Sequence, residues 1–339
     1  MLLGLEKTRL QPNMNERHDA TPNEGGVQPV GAMSSSQWIP DPPMTPDAAA
    51  ALIGSSFPAV DSAAVRYLGS GSQFDAFATA DGWAFRFPRW EWCGYIFESE
   101  ARAHRLAAEM LPSQIRLPKV ELIAAPTPQF PYPFAGHRFI PGVGADAVDE
   151  ELLPKLAREI AILLSALHST PAPVAGAAGI HEFVMDDDRR AWAEHGTAVA
   201  KELRGLDPVV EKAVAWLSTN PEPPPFGGPL HFIHTGLAPE HLLVDPDTGF
   251  LNGVLDWTDT MLGDPARDFV FLVTWRGWHF VEDVLRHYPH AVDRGFRTRL
   301  RYMAQQLSIM WLAFGHDLGV DPTSHIRGIR NAFAPHEGG

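Results

Sequence analysis

The residues best placed to do chemistry are His234-Thr-Gly-Leu-Ala-Pro-Glu-His241 and, fifteen residues later, Asp256. A histidine-led loop, a polar side chain at its end and a carboxylate after the next strand are the parts that hold a divalent cation against phosphate oxygens. The chemistry in view is therefore phosphoryl transfer. Such a loop carries an aspartate two residues after the histidine, to accept the proton of an attacking hydroxyl, and a metal-binding asparagine five residues further on. Those two positions are Gly236 and His241. The frame is present and its base is missing.

Asp256 follows the alternating apolar residues Leu251, Val254 and Leu255 and is read as ending their strand, where an unpaired carboxylate is costly unless a cation neutralises it. A hydrogen-bonded turn carboxylate is the plainer alternative. His234 is read as the ring that fixes the loop. His241 either ligates the metal or hydrogen-bonds a phosphate or metal-bound water, because magnesium prefers oxygen donors. Glu240 is a carboxylate close enough in sequence to deputise for the base, although a solvated loop side chain is its ordinary reading. Asp264 before Pro265 has the form of a helix cap, and Asp268 one turn later is read as structural, facing no ligand.

Three features precede the loop in the order such a site requires. Gly69-Ser70-Gly71 lies between two short strands and can approach phosphate; alone, it signals only a turn. Trp83-Ala-Phe-Arg86 has the pattern of a strand that presents a small residue to a base and a cation to phosphates, with arginine where lysine is usual. Glu100 sits on the apolar stripe of the next helix with Phe97, Ala101, His104, Ala108 and Leu111, so it needs a buried partner, and Arg86 is the candidate.

The elements that position these groups follow from periodicity. Val65 to Pro88 reads as three strands, with Gly69-Ser-Gly71 and Ala80-Asp-Gly82 supplying positive-φ turns. In the third strand Trp83, Phe85 and Phe87 share one face and Ala84 and Arg86 the other. Helix from Gly94 to Met110, strands at Leu117 to Ala124 and Phe134 to Ile140, and a break at Pro141-Gly142 complete a first unit. Helices over Leu152 to Ser169, Asp186 to Glu202 and Val209 to Ser218 come next. A hairpin around Asp245-Pro-Asp-Thr-Gly249 and a mainly helical tail to about Phe333 follow. The expected boundaries are a disordered arm over residues 1–46, a nucleotide-binding unit over 47–142 and a catalytic-loop and substrate unit over 143–339, with Met33 an alternative start.

A net charge of -14 disfavours nucleic acid and anionic membrane surfaces as partners and suits a cationic small substrate. One cysteine, Cys93, cannot form an intrachain disulfide and reads as a packed apolar residue, so cytoplasm is the default location. The apolar run from Phe269 to Trp275 is too short to span a bilayer, and the opening Met-Leu-Leu-Gly-Leu is too short for a signal-peptide core.

Across roughly Ala64 to Phe271 the chain resembles the aminoglycoside phosphotransferase family, its macrolide-phosphotransferase-like branch in particular. That family's loop typically runs His-Gly-Asp-Leu-His-Pro-Gly-Asn, or ends in His in the macrolide branch, and Leu237, Pro239 and His241 match it. Gly-Val-Leu-Asp256-Trp-Thr-Asp and Gly-Asp-Pro-Ala-Arg-Asp268-Phe match its metal-binding stretch. Phe85-Arg86-Phe87-Pro88-Arg89, Glu100, Leu167-His168 and the Arg138 to Gly142 segment resemble it as well. The resemblance implies an α+β, two-lobed protein-kinase-like fold with a small antiparallel sheet lobe and a larger, mainly helical lobe. It implies ATP or GTP between the lobes, contacted by Gly69, Ser70, Gly71, Arg86, Glu100, Phe139 and Ile140, and Mg2+ on His241 and Asp256. The implied reaction moves a phosphoryl group to a hydroxyl of a small molecule such as an antibiotic, with His234, Gly236 and Asp256 at the catalytic positions. Gly236 stands where the family has its catalytic aspartate, and a catalytically silent kinase-like binding protein is the alternative.

Overall fold

The computed structural model describes residues 44–90, 93–94, 96–182, 195–203, 205–219, 221 and 224–336. Residues 1–43 of the arm expected over 1–46, and the first half of the helix expected from Asp186, lie outside them, while Met44 to Pro46 are described and lead into a helix.

Helix α1 (Pro46–Ser56) starts where Thr45 accepts the Ala48 N–H at 3.2 Å and Pro46 sets the first helical φ. It buries Ala49 and Ile53 against a five-stranded antiparallel sheet ordered β1-β2-β3-β5-β4. The strands are β1 (Val65–Ser70), β2 (Phe74–Thr79), β3 (Trp83–Pro88), β4 (Leu122–Ala124) and β5 (Phe134–Arg138). The alternation in β3 holds: Trp83, Phe85 and Phe87 join Phe77 and Phe134 in the core under α1, with Phe87 and Phe134 stacked at 4.5 Å. Arg86 is left on the opposite face.

Two expectations about this sheet change. Gly82 has φ +86, but neither Gly69 nor Gly71 has a positive φ, because β1 enters the turn through a register shift between Tyr67 and Gly69. Leu117 to Glu121 is not strand. Pro118 cannot donate to a ladder, and the chain just before it is tied to the other lobe, where Arg116 N–H donates to Asn252 at 2.9 Å.

Helix α2 (Ile96–Met110) runs from the sheet to the larger core. Its first turns bury Phe97 and Glu100 near the sheet, while Ala103, Leu106 and Ala107 belong to the larger cluster. Ala108, expected on the buried stripe, is exposed, because the helix turns its C-terminal half toward that second core.

Pro141-Gly142 lies between β5 and the next strand. Gly142 has φ +145, and a Cβ there would lie 3.0 Å from the Val244 carbonyl, so a side chain is excluded. Beyond it, β6 (Val143–Gly144) pairs with β8 (Leu242–Val244), which forms the expected hairpin with β9 (Leu251–Val254). Helix α3 (Leu153–His168) lays Leu156, Ile160, Leu163, Leu164 and Leu167 into the large core, as its periodicity requires. Helices α4 (Ala172–Ala177) and α5 (Pro208–Ser218), the pair β7 (His231–Ile233) and β10 (Met261–Gly263), and helices α6 (Val270–Arg276), α7 (Trp278–Leu285), α8 (Phe296–Asp317) and α9 (Thr323–Ala332) complete the lobe. Among the described residues no helix is long and apolar enough to cross a membrane.

Candidate active site

The loop from His234 to His241 leaves β7 and enters β8 through a 3-10 turn, Pro239–His241. Its shape is set by Asp268, which is buried and accepts the His234 N–H at 3.1 Å and the Thr235 N–H at 2.6 Å. The His168 Nε2 lies 3.0 Å from the same carboxylate, and His168 Nδ1 is 2.6 Å from the Tyr288 hydroxyl. Burial pushes the His168 pKa down, so the neutral ring donates from Nε2 to Asp268 and accepts the Tyr288 proton. Desolvation opposes the Asp268 charge, but hydrogen bonding from His168 and Thr235 holds its pKa below the usual carboxylate value. Asp268 is thus a structural anchor of the loop.

Backbone strain is stored where the loop meets the hairpin. Thr235 has φ +66 and Asp256 φ +57, the two non-glycine residues with positive φ among those described. A β-branched residue rarely adopts that conformation, and both N–H and hydroxyl of Thr235 are engaged to hold it, the latter donating to the Asp259 carbonyl at 3.0 Å. The strand itself stops at Val254. Asp256 therefore sits on a strained turn past the strand instead of ending it, and the turn carries its carboxylate back over the loop.

His234 is fully buried edge-on against Trp257 at 4.6 Å. Its Nδ1 accepts the Gly236 N–H at 3.2 Å, and burial lowers its pKa to about 4, so the ring is neutral. The Gly236 carbonyl accepts a hydrogen bond from His241 Nδ1 at 2.8 Å. That fixes the tautomer, because a carbonyl can only accept. The other nitrogen, Nε2, faces Asp256 Oδ2 at 3.6 Å. Burial opposes ionisation of Asp256, but His241, Thr258, His234 and Arg86 together hold its pKa below the usual value.

Above Asp256, Arg86 reaches Glu100 through a two-pronged ion pair, Nη1 to Oε1 at 2.9 Å and Nη2 to Oε2. Phe74 and Phe97 flank the guanidinium at 5.0 and 5.3 Å. Burial disfavours the charge on Arg86, yet the Glu100 carboxylate beside it raises its pKa overall. Glu100 Oε1 also accepts the Thr258 hydroxyl at 3.2 Å, which ties α2 to the turn bearing Asp256.

Gly69, Ser70 and Gly71 form the tip between β1 and β2. Ser70 Oγ donates to Asp75 at 2.5 Å, and Arg89 Nη1 donates to the Gly71 carbonyl at 2.8 Å, so the tip is pinned from both sides. Phe139 lies past the end of β5, its N–H donating to Gly82 at 2.9 Å, and Ile140 packs against Gly253. Glu240 is exposed, and its charge acts on His325.

The structure thus gathers His234, Gly236, His241 and Asp256 in one contact network, with Arg86 and Glu100 joined to it through Thr258. Asp268, His168, Tyr288, Thr258 and Arg89 are the members sequence reasoning missed or discounted. The usable signal for Asp268 was its place between buried Ala266 and Phe269, where an unpartnered carboxylate would be costly.

The sequence model of the phosphotransferase enzyme family matches residues 65–303. The uncharacterized protein YcbJ of Bacillus subtilis is 32% identical over 137 residues, which are 40% of this chain and 44% of YcbJ, so the match spans less than half of that relative. Among solved structures, the GDP complex of wild-type aminoglycoside 2'-phosphotransferase-IIIa matches with a TM-score of 0.66 at 20% identity, covering 85% of this chain and 97% of that one. The apoenzyme of macrolide 2'-phosphotransferase MphH from Brachybacterium faecium matches with a TM-score of 0.53 at 22% identity, covering 86% and 98%. At these identities the structural matches establish the fold.

Proposed function

The chain belongs to the phosphotransferase enzyme family, and from that premise we propose that it transfers the terminal phosphoryl group of ATP or GTP to a hydroxyl of a small molecule. The observation that carries this reading is the pairing of Asp256 Oδ2 with His241 Nε2 at 3.6 Å, next to an arginine held by a buried glutamate. Among the described residues no three His, Cys, Asp or Glu side chains cluster as a self-sufficient metal site. One carboxylate, Asp256, suits a Mg2+ ion that is completed by phosphates and water, and His241 stands where it would ligate that ion or hydrogen-bond a phosphate or metal-bound water. A bound Mg2+ supplies charge neutralisation at the phosphates.

In this reading Arg86, held on Glu100 through both Nη atoms, offers its positive charge and remaining N–H groups to phosphate oxygens, and the Gly69-Ser70-Gly71 tip covers them. Phe139 and Ile140 border the base, residues 47–142 form the nucleotide side and residues 143–339 the acceptor side. His234 and Asp268 hold the loop so that Asp256 and His241 face the transferring group. The GDP complex of a structural neighbour supports a purine nucleotide. The aminoglycoside and macrolide names of the neighbours, with the net charge of -14, support a hydroxylated and cationic acceptor and a role in antibiotic resistance.

Gly236 leaves no carboxylate to take the acceptor's proton. General-base assistance is worth about 10²- to 10⁴-fold, and phosphoryl transfer rests mostly on positioning and charge, so its loss slows the reaction without abolishing it. The same residue favours the second reading, a silent kinase-like protein that binds nucleotide or ligand for regulation. Incubation with Mg2+, labelled ATP or GTP and a panel of aminoglycosides and macrolides separates the two. Product from the natural chain, lost in Asp256→Ala and kept in Glu240→Gln, supports catalysis; product from Gly236→Asp alone supports the silent form.

A further inference from the structure

A cavity of about 490 Å³ lies between the C-terminal end of α3 and the start of β7, and its walls come mainly from Pro171, Pro173, Pro229 and Leu230. That size and that lining are those of a pocket for a small molecule. None of its lining residues is Lys, Arg, Asp or Glu, so a charged ligand has no counter-ion there. Two polar groups interrupt the apolar wall. Thr170 is 2% exposed, and its hydroxyl has no hydrogen-bond partner among the described residues. His231 holds Nδ1 2.7 Å from the His168 carbonyl; a carbonyl only accepts, so Nδ1 carries the proton and Nε2 is left as an acceptor. Buried polar groups are nearly always satisfied, and an orphaned hydroxyl in a cavity wall points to a partner brought by a ligand.

We propose that this cavity is a second binding site, for a small uncharged aromatic molecule that carries a hydroxyl. The ring packs on the proline faces, as rings and prolines do in proline-rich recognition. Its O–H donates to His231 Nε2, and its oxygen accepts from the Thr170 hydroxyl. The same wall holds the loop. His231 opens the strand that runs into His234, and His168, bonded to His231 through its carbonyl, donates from Nε2 to Asp268 at 3.0 Å. Asp268 in turn accepts the N–H groups of His234 and Thr235. An occupant that fixes His231 therefore steadies this anchor, and binding is linked to order in the loop. Arg86, His241 and Asp256 do not line the cavity, so the inference is independent of the proposed nucleotide site.

Calorimetric titration of the full chain with phenol tests it, with toluene as the probe of similar shape that lacks the hydroxyl. Phenol is expected to bind saturably at one site per chain and toluene more weakly. Thr170→Val keeps the side-chain shape and weakens phenol about fivefold, the scale of one neutral hydrogen bond, without lowering stability, because the hydroxyl it removes has no partner. Ala172→Phe fills the cavity from its wall and abolishes binding. Asp256→Ala leaves phenol affinity unchanged, which separates this site from the nucleotide reading. Bound phenol slows hydrogen exchange at the His234 and Thr235 amides. No saturable uptake of phenol, equal affinity for toluene, or binding that survives Ala172→Phe in a protein with the natural circular dichroism spectrum overturns the site. If Ala172→Phe loses that spectrum, Thr170→Val decides, and an unchanged phenol affinity in it overturns the proposal. Saturable binding with unaltered exchange at the two amides overturns the link to the loop.

Discussion

Replacing Gly236 with aspartate puts the missing base back, and the local geometry says what it does. A Cβ at residue 236 meets the Asp256 carbonyl at 3.5 Å and His234 Nδ1 at 3.6 Å, ordinary contacts that require no movement. The residue does not occupy the left-handed region, so glycine is not needed for the backbone. Loss of glycine's freedom in the unfolded chain adds about 0.4–1 kcal/mol of stability, offset in part by repulsion between the new carboxylate and Asp256 when no cation is bound. Gly236→Asp is therefore expected to unfold within about 1 kcal/mol of the natural chain. Its phosphoryl-transfer rate rises by about 10²- to 10⁴-fold, or roughly 2.7–5.5 kcal/mol of barrier. Single-turnover transfer of labelled phosphate measures the rate, and urea unfolding measures the stability. Gly236→Asn, similar in shape but not a base, gives no such rise. Should Asn accelerate transfer as much as Asp, or should Asp bind Mg2+ and nucleotide normally without accelerating anything, the assignment of this position as the missing base is wrong.

Glu100→Ala leaves the Arg86 guanidinium without its buried partner and is expected to cost about 3–5 kcal/mol in urea unfolding. Asp268→Asn weakens the acceptor of two backbone N–H groups and of His168; the His234 and Thr235 amides then exchange hydrogen faster, and stability falls by about 2–3 kcal/mol. Stability also depends on pH. Burial lowers His104, His137 and His234 to about 4 from an ordinary 6.5, so between those values the unfolded chain binds more protons than the folded one. Stability then declines as pH drops from about 6.5 to 4, by about 3 kcal/mol for each histidine, and His104→Leu makes the measured slope shallower by one proton.

What the sequence disclosed was whatever depends on near neighbours. The period-2 alternation of Trp83, Phe85 and Phe87 placed Arg86 on the correct face, and the buried stripe of α2 demanded a partner for Glu100, which proved to be Arg86. The spacing of His234, His241 and Asp256 brought them together as expected. Contacts between distant segments stayed hidden. Asp268 gathers groups from residues 34 positions and 100 positions away, and no local pattern announces such a meeting. The φ of Asp256 was equally invisible, because it arises from a strained turn that Thr235, Asp268 and Asp259 stabilise jointly. Gly69 and Gly71 show the converse error. Glycine suggests a left-handed turn there, but the tip adopts none, and nothing lies within 4 Å of a Cβ at either position.

Everything proposed for the site depends on a cation held by Asp256 and a nucleotide held with it. Isothermal calorimetry of the natural chain and of Asp256→Asn, each titrated with ATP and GTP in the presence and absence of Mg2+, tests that dependence most directly. The expected result is nucleotide uptake that strengthens with Mg2+ in the natural chain and loses that metal dependence in the variant, whose fold is retained by circular dichroism. Equal uptake by both proteins, or uptake indifferent to Mg2+ in the natural chain, contradicts the account.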